Sequence, residues 1–189
     1  MQLLEQRILS EGKVRPGGIL KVDSFLNHQL DPQLLFEMAQ ELRRLYEGAG
    51  VNKILTIEAS GIALAILTGY VFGCPVVFAK KSKTKNISDA LYSVEVPSFT
   101  HGNVSTVVVS KEYLGPRDRV LIVDDFLATG AALVGLKTLV GQAGGSVVGA
   151  GIAIEKAFQG GGELLRAQGM RVESLARIAS MSDDSLRFC

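Results

Sequence analysis

Leu3, Leu4, Ile8 and Leu9 recur at helical spacing and Gly12 interrupts them, so an amphipathic helix is expected to open the chain and stop there. Pro16-Gly17-Gly18 is a turn signal, followed by a short strand-like run at 19–22 and a polar-punctuated loop at 25–30. Asp31-Pro32 then places a side-chain acceptor at a helix N-cap and a proline ring at the first helical position. The helix they open is expected to reach about residue 47, where Gly48 and Gly50 end it.

From residue 53 onward the period changes. Solid apolar runs at 53–57, 75–79, 119–123 and 146–154 read as strands. The first turns through Glu58-Ala59-Ser60-Gly61 into a helix at 62–72, and the third passes through Asp124-Asp125 and a glycine-containing turn into a helix at 131–143. Strands this apolar are covered on both faces, which predicts a doubly wound α/β fold with a mainly parallel sheet. Two runs rich in β-branched residues, 92–96 and 106–109, joined by a polar stretch around His101-Gly102, predict a hairpin projecting from that sheet. The expected organisation is one domain: a core at about 31–155, a small cap from about 1–30 and 156–189, and a lid hairpin at about 82–112.

Composition sets limits on partners. The formal net charge is +1, so no global field points to nucleic acid or a membrane surface. Trp is absent and the apolar mass is Val, Ile, Leu and Ala with 21 Gly, as in folds with buried parallel strands. Two cysteines and two histidines make neither a disulfide framework nor a metal-ligand spacing. No apolar run approaches the ~20 residues that cross a bilayer, and the first residues read as a helix start rather than a signal peptide. A cytoplasmic globular protein is expected.

The most informative stretch runs from Val120 to Leu133. A buried strand delivers Asp124 and Asp125 near its carboxyl end, where open α/β sheets bind ligands. Ala128-Thr129-Gly130-Ala131-Ala132 follows and opens a helix. Small side chains let a phosphate approach backbone amides, the helix start adds a partial positive charge of about 0.5, and Thr129 can add a hydroxyl donor. Two carboxylates do not favour a bare phosphate. They suit sugar hydroxyls between them and it, with or without a hydrated magnesium ion. The ligand this chemistry suggests is a ribose carrying a 5′-phosphate. The stretch lacks the Gly-Lys-Ser/Thr ending of a P-loop and is not a G-x-G-x-x-G turn.

Four hydrophobic residues, two acids and an Ala-Thr-Gly loop resemble the phosphoribosyl diphosphate motif of type I phosphoribosyltransferases. The resemblance implies that residues 128–132 hold the 5′-phosphate, that Asp124 and Asp125 hold the ribose, and that magnesium arrives on the diphosphate with no direct protein ligand. It also implies a homodimer. Many members end the loop in Thr or Ser, whereas this chain has Ala132, which leaves that position to backbone alone. By the same resemblance, Ala59, Ser60 and Gly61 form the turn that faces the leaving pyrophosphate. Lys81 and Lys83 are similar to the Lys-x-Lys stretch of adenine phosphoribosyltransferases, and Glu95 on the hairpin is a candidate acid-stabilising group.

Residues 18–32 and 154–161 are similar to the bacterial xanthine phosphoribosyltransferase branch, whose base-binding positions map onto Leu20, Asn27 and Lys156. Xanthine has oxygens at carbons 2 and 6 and ionises near neutral pH, so a lysine cation and an amide donor suit it. Phe158 either stacks on the purine or fills the cap interface. Within enzymes, hypoxanthine/guanine or adenine specificity is the alternative. A non-catalytic regulator that senses phosphoribosyl diphosphate is the other, but such regulators carry an N-terminal winged helix, and no basic recognition helix is visible.

Overall fold

A computed structural model describes residues 1–82, 90–97, 104–182 and 185–189. The first half supplies α1 (Gln2–Glu11), β1 (Lys13–Arg15), β2 (Ile19–Lys21), α2 (Pro32–Leu45), β3 (Lys53–Ile57), α3 (Gly61–Phe72) and β4 (Val76–Ser82). The second half supplies β5 (Leu91–Pro97), β6 (Val104–Ser110), β7 (Arg119–Leu127), α4 (Ala131–Gln142), β8 (Ser146–Lys156), α5 (Gly161–Ala167), β9 (Val172–Met181) and β10 (Leu186–Phe188). α2 starts as its sequence predicts: the Asp31 carboxylate accepts from the backbone N–H groups of Gln33 and Leu34, each at 3.1 Å. Such a cap stabilises a helix by about 1 kcal/mol. The helix ends at Leu45, just ahead of Gly48 and Gly50, both at positive φ; Tyr46 follows it, buried, with its hydroxyl donating to the Ala150 carbonyl at 2.9 Å.

β1 and β2 form a separate small hairpin, and eight strands form one sheet in the order β10-β9-β8-β7-β3-β4-β6-β5. The central strands β9, β8, β7, β3 and β4 run parallel, while β10, β6 and β5 are antiparallel to their neighbours. Alternate residues of one strand enter different cores. Leu121 and Val123 join α1, α2 and α3 on one face, whereas Val120 and Ile122 join α4 on the other. That double coverage is why the strands read as unbroken apolar runs.

The chain ends depart from the expected cap. Residues 172–181 enter the main sheet as β9, pairing in parallel with β8 from Ala150↔Val172 onward. Glu173, Ser174 and Arg177 break the apolar run, yet Val172, Leu175, Ala176 and Ile178 are buried and anchor the strand. The two ends do meet: the Met1 ammonium donates to the Leu175 carbonyl, and Leu4, Ile8, Phe25 and Leu26 share a core with Leu175 and Ile178.

The predicted hairpin is β5–β6, paired from Leu91↔Ser110 to Pro97↔Val104. β6 pairs with β4 from Lys80 onward, one residue past Ala79, the last to pair with β3, so the hairpin extends from the carboxyl end of the parallel sheet. It leans on α4 at Gly135, where a Cβ would lie 2.4 Å from Val96 Cγ2. His101 lies outside the described residues. Among the described residues no helix is long and apolar enough to cross a membrane.

Candidate active site

The carboxyl ends of β3, β4 and β7 surround a cavity of about 410 Å³. Glu58 and Ser60 line it from the β3–α3 turn, Lys81 from β4, Asp124 and Asp125 from β7, and residues 128–132 from the turn into α4. Val96 and Pro97 close one side from the hairpin.

In the turn at 128–132, Gly130 takes a φ of 86° and serves as the N-cap of α4, and among the described residues no side chain caps the helix. The first amides of α4 therefore face outward without an internal acceptor, and the side chains of Ala131 and Ala132 are too small to screen them. A helix start left open toward a cavity is a ready anion site.

The acid pair lies within β7 rather than beyond it, because the strand runs on to Leu127. Asp124 and Asp125 are 5% and 7% exposed. The Asp125 backbone N–H donates to Asp124 Oδ1 at 3.1 Å. Burial, and then the neighbouring Asp125 charge, push the Asp124 carboxyl well above the ordinary carboxylate range, with Lys81 pulling weakly the other way. Ligand hydroxyls donating to this pair would relieve that penalty.

Gly61, at the start of α3, is wedged against the acids. A Cβ there would lie 2.7 Å from Asp124 Oδ1 and 2.3 Å from Thr56 Oγ1. The Thr56 hydroxyl is buried and, among the described residues, has no hydrogen-bond partner. Preceding it in the turn, the Glu58–Ala59 peptide bond is cis. The Glu58 carboxylate accepts from the Lys81 backbone N–H at 2.6 Å, tying the turn to β4. In the sequence Glu58 is only part of a turn, and no local pattern signals this tie.

Lys156 ends β8, the strand next to β7. Its ammonium donates to the Gly18 carbonyl at 2.9 Å and lies 5.6 Å from the centre of the Phe126 ring. Partial burial lowers its pKa. Phe126 also lines the cavity, so one ring separates the cavity from the lysine. Nothing in the local sequence marks Phe126 for that place. Asn27 is exposed at the end of a short π-helical segment, Asp23–Asn27. The Leu20 side chain is committed to the core at 6% exposure. Phe158 is exposed.

The fold thus gathers the turn at 59–61, Lys81, the two acids and the loop 128–132, and sets Lys156 one strand away. It does not bring Glu95 to the cavity: Glu95 is exposed, on the strand face opposite its neighbour Val96, which lines the site. Lys83 lies outside the described residues.

Comparison with known proteins agrees with this geometry. Residues 21–164 match the phosphoribosyl transferase domain family. The xanthine phosphoribosyltransferase of Lachnoclostridium phytofermentans is 53% identical over 182 residues, covering 96% of this chain and 94% of that protein. That of Finegoldia magna is 53% identical over 188 residues, covering 100% and 99%. The crystal structure of adenine phosphoribosyltransferase from Thermoanaerobacter pseudethanolicus superposes with a TM-score of 0.75 at 24% identity, covering 92% of this chain and 99% of that one, and shares the fold. With a family match over most of its length, close full-length relatives and a shared fold, the chain belongs to the phosphoribosyltransferase family.

Proposed function

We propose that this protein is a xanthine phosphoribosyltransferase of purine salvage, converting xanthine and phosphoribosyl diphosphate to xanthosine 5′-monophosphate and pyrophosphate. The observation that carries the base assignment is Lys156, a partly buried cation beside Phe126, one strand from an open phosphate loop. A cation there favours an oxygen-bearing, readily ionised purine and gives nothing to the amino group of adenine. Identity above half over the full chain to xanthine phosphoribosyltransferases supports the same reading.

In this reaction C1 of the ribose exchanges its bond to a diphosphate oxygen for a bond to a ring nitrogen of the base, which gives up a proton. Catalysis rests on positioning and on stabilising charge. The α4 amides and Thr129 hold the 5′-phosphate. Asp124 and Asp125 accept from the ribose hydroxyls, and their proximity favours the positive charge that develops on the ribose. The turn at 59–61, with Lys81 and Lys83, receives the pyrophosphate. Lys156 and Asn27 orient the base, and Leu20 contributes by fixing the backbone of β2. A hairpin closing over the cavity would exclude water from the oxocarbenium-like transition state. The two acids are short of a full ligand set for a divalent ion and fit magnesium that arrives on the diphosphate, where it neutralises leaving-group charge.

We place the enzyme in the cytoplasm as a homodimer. An apolar surface suits a second copy. Ile66 and Tyr70 on the uncharged helix α3, with Phe78 on β4 and Tyr113 just after β6, are all exposed. A sedimentation mass of a single chain would contradict the dimer.

Lys156→Ala tests the base assignment. The KM for xanthine is expected to rise by about tenfold or more, as for loss of a charged hydrogen bond, while the KM for phosphoribosyl diphosphate stays within about twofold. Two unchanged KM values would make Lys156 a surface lysine.

A further inference from the structure

One short helix touches both halves of this site. At its start, the Gly161 N–H donates to the Ala128 carbonyl at 3.1 Å. A Cβ on Gly161 would lie 2.3 Å from that oxygen and from the Thr129 carbonyl carbon, so α5 is seated directly against the phosphate loop. Leu165, buried, backs the same loop: a Cβ on Gly130 would lie 3.2 Å from its Cδ1. At its far end, α5 carries Arg166, whose guanidinium grips Glu155 with both prongs, Nη1 to Oε1 at 2.8 Å and Nη2 to Oε2 at 2.7 Å.

Glu155 is 1% exposed and is the residue before Lys156. In the sheet it pairs with Leu127, the residue before the phosphate loop. Ser174 Oγ donates to its Oε2 at 2.5 Å, and Arg177 Nε approaches to 3.4 Å. Arg166 Nε holds the Val172 carbonyl at 3.1 Å, so the fork is fixed on β9 as well. Gly162 leaves no slack, since a Cβ there would lie 2.2 Å from Glu155 Oε1.

A buried ion pair seldom stabilises a fold more than well-packed apolar residues do. What a bidentate fork supplies is fixed geometry. We infer that Glu155 and Arg166 are a positioning pair that, through α5, holds the phosphate loop and Lys156 in one register, so that the two substrate subsites are set by a single contact. This rests on the reading of residues 128–132 and Lys156 as the phosphoribosyl and base subsites.

The test is steady-state kinetics on full-length variants. Glu155→Gln keeps the shape and removes the charge, and is expected to raise the KM of both substrates together, by about tenfold each, with a smaller change in kcat. Lys156→Ala should move the xanthine KM alone, and Thr129→Ala the phosphoribosyl diphosphate KM alone. Arg166→Lys keeps the charge without the fork and is expected to behave like Glu155→Gln. A Glu155→Gln enzyme with a lower melting temperature but both KM values within about twofold of the parent would make the pair merely structural and overturn the inference. So would an Arg166→Lys enzyme with parental KM values. If Glu155→Gln does not fold, Ser174→Ala removes one donor to the same carboxylate. It should raise both KM values to a smaller degree, and unmoved values there overturn the inference equally. If Lys156→Ala and Thr129→Ala leave their own substrates untouched, the subsite assignment itself fails, a result readable without any Glu155 variant.

Discussion

Asp124→Asn is expected to lower kcat/KM for phosphoribosyl diphosphate by about 10²–10³-fold, the cost typical of removing one preorganised charge-stabilising group, while raising the melting temperature. The two effects share one cause. Asp124 is held almost out of water beside a second carboxylate, so its charged form is disfavoured in the ligand-free protein. An amide of the same shape removes both the desolvation and the repulsion. A gain of about 1 kcal/mol is expected, as for other strained functional groups, or about 2–4 °C in a chain of this size.

The pH dependence gives the sign. The folded-state pKa of Asp124 lies above its unfolded value, so its contribution to stability is complete below the ordinary carboxylate range and is lost as pH rises through the raised folded value. The advantage of Asp124→Asn should therefore be small near pH 4 and grow toward neutrality. Thermal melts of both proteins across that range check it. A variant less stable than the parent at every pH, with activity retained, would show that the acid pair is an ordinary structural feature.

Gly61→Ala should also disable the site, by a different route. The added methyl would sit 2.3 Å from Thr56 Oγ1, 2.7 Å from Asp124 Oδ1 and 3.5 Å from Asp124 Cα. The last of these is ordinary contact, but the first two are clashes with oxygens of buried side chains, which have little room to swing away. Overpacking of this kind costs about 1–3 kcal/mol. Either the turn at 59–61 or the acid pair must shift, and a displacement near 1 Å costs about 10²-fold in rate. The expected result is a folded protein with a lower melting temperature and at least that loss in kcat/KM for phosphoribosyl diphosphate. Parental kinetics from Gly61→Ala would mean that the turn and the acids do not act on one ligand.

The features legible in the sequence were those written in local pattern. Four unbroken apolar runs gave the parallel sheet, because each strand feeds two cores. Asp31-Pro32 gave a helix start that the side-chain cap bears out. The acid pair and the small-residue turn were legible because both depend only on neighbours along the chain. β9 was not, since Glu173, Ser174 and Arg177 interrupt its apolar residues, and its polar positions are explained only once Ser174 and Arg177 reach Glu155. The placement of Phe126 beneath Lys156, and of the Lys156 ammonium on the Gly18 carbonyl 138 residues away, are long-range facts that periodicity does not encode. Glu95 shows the opposite case. Strand alternation alone sets it across from Val96, but nothing in the sequence says which of the two faces the cavity.

The central claim concerns the base. Pyrophosphate release should be followed with phosphoribosyl diphosphate and magnesium present and with xanthine, guanine, hypoxanthine and adenine supplied one at a time. The account predicts the highest kcat/KM with xanthine, with xanthosine 5′-monophosphate as the product, and little or no turnover of adenine. A rate with adenine equal to or above that with xanthine would contradict it.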